Sequence, residues 1–73
     1  MVYNNVLLRV KDIKNISLVR ELLKEQAKRS SEEPGCIRFE VYHSSSDVQQ
    51  FILVEQWANE ADLERHKNAK AFI

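Results

Sequence analysis

His66 stands first among the residues of this 73-residue chain that can do chemistry, because only histidine changes charge near neutral pH without a special environment. Trp57 and Phe51 offer flat apolar surface, Tyr42 adds a phenolic hydroxyl, and Asn5 and Arg38 carry donors able to orient an oxygen-bearing small molecule. Each has a structural reading beside the chemical one. Trp57 suits an interface or core anchor. Arg38, with Arg9, Glu40 and Glu55, suits cross-strand charge pairing that sets the register of a dimer. Tyr42 and Asn5 read equally as polar interface residues, and His66, between Arg65 and Lys67, as an exposed helical side chain. Cys36 follows the Pro34-Gly35 turn with no basic neighbour in sequence and reads as structural. His43, at a strand end beside a serine turn, reads as exposed.

These residues lie on elements that the pattern delimits. Val6 to Val10 is a first strand, rich in aliphatic residues. Asp12 to Asn15 is a loop whose last residue can cap a helix with its side-chain oxygen. From Ile16 to about Ser31 the apolar positions Val19, Leu22, Leu23 and Ala27 fall at helical spacing, with charged residues covering the other side. Pro34-Gly35 stops that helix. Strands over Cys36 to His43 and Gln50 to Trp57 flank Ser44-Ser45-Ser46-Asp47, a hairpin pattern. Asn59 can cap a second helix whose first inward residue is Leu63 and which ends near His66. The order β-α-β-β-α is that of an α+β, ferredoxin-like sandwich with an antiparallel sheet, lacking the usual final strand.

Alternation then predicts two faces. Val6, Leu8, Val10, Ile37, Phe39, Val41, Ile52 and Val54 make an aliphatic face for the first helix. Asn5, Leu7, Arg9, Arg38, Glu40, Tyr42, Phe51, Leu53, Glu55 and Trp57 share the opposite one. A face so mixed in rings and charges suits a lined cavity or a subunit contact, and left to water it is a large apolar patch.

Composition narrows the classes. Eleven basic and eleven acidic residues give zero net charge, and no basic block points to nucleic acid. No apolar run spans a bilayer, and the first residues lack the layout of a secretion signal, so the expectation is a cytoplasmic protein without membrane contact. One cysteine excludes an internal disulfide, and no Cys/His pair has zinc spacing. One small domain over residues 1–73 buries a modest fraction of its surface, which favours a homodimer.

The runs Glu33-Pro34-Gly35-Cys36-Ile37-Arg38-Phe39-Glu40-Val41-Tyr42, Phe51-Ile52-Leu53-Val54-Glu55-Gln56-Trp57 and Leu63 to His66 resemble, in this order, the antibiotic biosynthesis monooxygenase domain family. The resemblance covers nearly the whole chain. It implies a ferredoxin-like subunit pairing into a dimeric α/β barrel, with a pocket for a small-molecule substrate. Some members oxygenate anthrones or quinols without metal or flavin cofactor; others degrade haem, isomerise a phosphorylated signal molecule, or have no known activity. For the first group the resemblance implies His66 as the catalytic proton carrier, with Trp57, Tyr42 and Phe51 shaping the pocket and Asn5 and Arg38 orienting substrate oxygens. The alternatives are a non-catalytic small-molecule-binding or stress-response dimer, or an isomerase of a small phosphorylated signal. Asn5 matches by register the strand asparagine of the haem-degrading branch, but His66 stands where that branch has its helix tryptophan. Relatives carry a second histidine where this chain has Ala71, and continue past Ile73 into a last strand.

Overall fold

In the computed structural model, which describes residues 1–68, strands β1 (Val2–Arg9), β2 (Cys36–His43) and β3 (Gln50–Trp57) form one antiparallel sheet in the order β1-β3-β2. Helices α1 (Ile16–Ser30) and α2 (Glu60–Lys67) pack on one face of it, placing Leu23 and Leu63 in a core with Phe39, Phe51, Leu53 and Trp57. The α+β ferredoxin-like arrangement expected from the sequence is the one observed. β1 begins four residues earlier than expected, because Val2 to Asn5 pair with Trp57 to Val54 of the central strand. Among the described residues, β1 pairs with β3 alone.

The helix ends follow capping chemistry, with one exchange. Asn59 accepts the Asp62 amide at 2.9 Å, as expected for an N-cap. Asn15 makes no side-chain cap bond. Instead Asp12 accepts the Lys14 amide at 2.9 Å and caps a short 3-10 turn, Ile13–Asn15, that leads straight into α1. Along α1 the buried positions are Leu23, Gln26 and Ser30, with Val19 and Ala27 partly covered, whereas Leu22 is half exposed. The inward stripe is thus rotated toward two polar residues that pair with each other, Gln26 Nε2 donating to Ser30 Oγ at 3.0 Å.

The face assignment of β3 is corrected by the register. Val6 pairs with Leu53 and Leu8 with Phe51, so Phe51, Leu53, Glu55 and Trp57 lie on the helix-bearing face, while Ile52 and Val54 lie on the open one. Ile37, expected inward, is half exposed, because a bulge between Cys36 and Arg38 takes it out of alternation. The open face therefore consists of Tyr3, Asn5, Leu7, Arg9, Ile52, Val54, Gln56, Arg38, Glu40 and Tyr42.

Gly35 ties the turn before β2 to α2. Its φ of +83° favours glycine, its carbonyl accepts the Ala58 amide at 2.8 Å, and an added Cβ would clash with the Asp62 side chain. Gly35→Ala is expected to destabilise the fold by about 1–3 kcal/mol, read by urea unfolding. An unchanged midpoint would show that the turn relaxes freely.

Candidate active site

Three segments converge on a buried polar cluster beneath the helices. Glu55, fully buried on β3, faces Asn4 of β1 and Phe39 of β2 across the sheet. Its Oε1 accepts the Trp57 indole N–H at 3.0 Å and the Asn4 amide at 3.4 Å. Its Oε2 has no hydrogen-bond partner among the described residues. From α2, one turn after Leu63, the fully buried His66 brings Nε2 to 3.9 Å from the same Oε1. On its other side Nδ1 lies 3.2 and 3.1 Å from the two carboxylate oxygens of Glu33, in the loop before β2. A carboxylate accepts only, so Nδ1 carries the proton in this contact. The ring is held by Trp57, centroids 4.8 Å apart, and by the edge of Phe39 at 5.5 Å. One imidazole thus bridges two carboxylates inside an aromatic wall.

The expected site residues divide between the two faces. His66 and Trp57 meet directly. Phe51 shares their face but stacks on His43, rings 4.1 Å apart and nearly parallel, at the far end of β3. His43, expected exposed, is thereby partly covered, and its Nε2 lies 2.7 Å from the Val48 carbonyl. Asn5, Arg38 and Tyr42 project from the open face, so they do not join His66 in one pocket. The physical reason is the strand parity described above: one residue of register separates Asn5 from Asn4, and Asn4 is the asparagine that reaches the buried cluster. Nothing in the sequence pattern marks Glu55, Glu33 and Asn4 as members of a site with His66. The three-residue spacing from Leu63 to His66, one inward position to the next, was the available signal for burial of the histidine.

On the open face Arg38 bonds Glu40 at 2.8 Å, and Tyr42 donates to the same carboxylate oxygen. Glu40 and then Tyr42 hold the Arg38 guanidinium above its ordinary value, and Arg38 in turn holds the Glu40 carboxyl below its own. Arg9 bonds Asp47 at 2.6 Å and fastens the β2–β3 turn to β1, so the Arg9 pairing runs to the turn and not to the inner strands. Burial first, then the Glu33 carboxylate, push the Cys36 thiol up. Cys36 is expected to alkylate more slowly at pH 7 than a free thiol, timed with iodoacetamide; a rate above that of glutathione would contradict this placement.

A groove of about 380 Å³ opens at the opposite end of the helix-bearing face, walled by Leu8, Val10, Val19, Leu22 and Leu23 with Lys11 and Asn15 at its rim. Among the described residues no group of three or more His, Cys, Asp or Glu side chains is arranged to hold a metal ion, and no helix is long and apolar enough to cross a membrane.

A three-stranded antiparallel sheet with two helices on one face, in this chain order, defines a ferredoxin-like domain of α+β class. The chain belongs to the antibiotic biosynthesis monooxygenase family, whose model matches residues 1–73. A conserved Bacteroides thetaiotaomicron protein of unknown function is similar at 31% identity and TM-score 0.88, over 96% of this chain and 73% of that one. Structures assigned as antibiotic biosynthesis monooxygenases share the fold: one from Nitrosomonas europaea at 23% identity, TM-score 0.83, over 96% and 74% of the two chains, and one from Deinococcus radiodurans at 24%, TM-score 0.91, over 96% and 68%. Comparison with curated proteins returns no significant match. Ala71, expected from the resemblance to replace a second histidine, lies outside the described residues.

Proposed function

We propose that the domain is a cofactor-independent monooxygenase acting on a small aromatic, quinol-like molecule, with His66 as the proton carrier. The observation that carries this reading is the buried contact of His66 with Glu33, Glu55 and Trp57. A quinol or anthrone that loses a proton becomes an electron-rich anion, and dioxygen is then the oxidant. For an anthrone, one oxygen atom enters the product carbonyl, and the other leaves as water with the two methylene hydrogens. The chain's part is to fix the imidazole: Glu33 holds Nδ1 as donor, and Nε2 faces Glu55. The indole ring of Trp57 packs against the imidazole and keeps it in place.

Oxygen uptake with a panel of quinols and anthrones tests the reading. Turnover is expected to fall by about 10²–10⁴-fold in His66→Ala. Equal turnover in parent and variant would remove His66 from the mechanism.

A second reading, a non-catalytic small-molecule-binding protein, is favoured by the apolar groove, which lies at the other end of the sheet from His66. Tight binding of apolar probes without oxygen uptake would select it. In either case we propose a homodimer formed through the open face, where Tyr3, Leu7 and Tyr42 are exposed around Ile52 and Val54. Sedimentation at micromolar concentration is expected to show a dimer, and a folded monomer there would exclude this contact.

A further inference from the structure

A second cavity opens at the outer edge of the sheet, between α1 and the end of β2. It measures about 330 Å³, is bordered by Arg20, Lys24, Val41, Tyr42, His43 and Phe51, and shares no residue with the apolar groove. Ligand pockets run from about 300 to 1,000 Å³, so this one suits a small molecule. Its strand side is apolar and fixed. The His43 ring lies stacked on the fully buried Phe51, its Nε2 donates to the Val48 carbonyl at 2.7 Å, and Val41 adds aliphatic surface. Its helix side is cationic. Arg20 and Lys24, four residues apart on α1, stand one turn above the other on the same face. Arg9, Arg38 and Arg65 each hold a carboxylate of the chain, whereas Arg20 has no such partner among the described residues. Lys24 shares its charge with Glu21 at 3.5 Å. The helix side therefore keeps a surplus of one positive charge above an apolar wall.

We propose that this cavity binds a small carboxylate that carries an apolar ring or chain. Arg20 and Lys24 hold the carboxylate, and the apolar body rests against Val41 and the His43 ring. The surplus charge matches a monoanion, and the planar guanidinium fork meets both oxygens of a carboxylate at once. An exposed guanidinium alone requires no ligand. Two cations one turn apart beside a walled apolar cavity form a two-part surface, and it fits a two-part molecule. Phe51 acts from below by holding the His43 ring. The cavity lies at the opposite end of β3 from Trp57, so the inference goes beyond the monooxygenase reading and does not depend on it.

The experiment adds phenylacetate, phenylacetamide or acetate and follows the imidazole resonances of the two histidines of the chain. Phenylacetate is expected to move the His43 signals and leave those of His66 in place. It is expected to bind about 10-fold tighter than phenylacetamide, which lacks the charge. A similar margin of about 10-fold is expected over acetate, which lacks the ring. Arg20→Gln removes the guanidinium from an exposed helix position and leaves the fold intact. In that variant the preference for acid over amide is expected to fall to about 2-fold or less. No response of His43 to millimolar phenylacetate, or a response at His66 instead, would overturn the proposal. Equal binding of acid and amide, equal binding of phenylacetate and acetate, or an unchanged preference in Arg20→Gln would do the same. Oxygen uptake in Arg20→Gln is expected to equal that of the parent, and a matching loss of both would overturn the separateness of the site. A parent without oxygen uptake counts against the His66 reading alone.

Discussion

Trp57→Ala is expected to leave the domain largely unfolded at room temperature. Trp57 is fully buried, in contact with His66 and bonded to Glu55. Truncating a buried Trp or Phe to alanine costs about 3–5 kcal/mol. Withdrawing the indole N–H from a buried carboxylate adds about 1–3 kcal/mol. At about 0.05–0.15 kcal/mol per residue, a domain of this length holds a total stability of the same size. Far-UV circular dichroism with urea titration reads the result. Trp57→Phe separates the two contributions, since it keeps most of the ring and removes the donor; a loss of about 1–3 kcal/mol is expected for it. A cooperative transition for Trp57→Ala within about 1 kcal/mol of the parent would mean that the strand end is not part of the core.

The second large effect lies in the pairing of Glu55 with His66. Glu55→Leu strands the Trp57 indole, the Asn4 amide and one side of the imidazole. Removing one member of a buried polar pair in this way costs about 3–5 kcal/mol. The double variant Glu55→Leu/His66→Leu removes both members and leaves Glu33, which is partly exposed, free to turn to water. Its cost is expected to fall short of the sum of the singles by about 1–3 kcal/mol. Additivity within about 0.5 kcal/mol in urea unfolding would show that the 3.9 Å approach carries no coupling.

Much of this architecture is legible in the sequence, and the part that is not has a physical cause. The bounds of α1, β2, β3 and α2, the Asn59 cap and the inward Leu63 follow from spacing and from turn residues, which are local signals. The parity of β3 is not local. Ile52 and Val54 on one side, Phe51 and Leu53 on the other, offer two apolar faces, and alternation alone does not rank them. Glu55 tips the reading outward, because a carboxylate is rarely interior. Its burial depends on donors from Asn4 and Trp57 and on His66 from another element, contacts that exist only once the sheet and α2 have met. The same holds for His66, whose neighbours Arg65 and Lys67 are exposed and mask its inward position. The same one-residue shift in parity separates Asn5, Arg38 and Tyr42 from Trp57. The family motifs were legible throughout, since they need no register.

The two borders of the sheet differ in a way that gives it a direction. β2 carries a bulge and a run of alternating Arg38, Glu40 and Tyr42 side chains bonded to one another, which leaves an incoming strand a kinked and charged margin. β1 is eight residues long, pairs with β3 without a break in register, and has no such guard along Val2 to Leu8. Backbone pairing with any further strand is therefore steered to the β1 side, where alternate amides point away from β3.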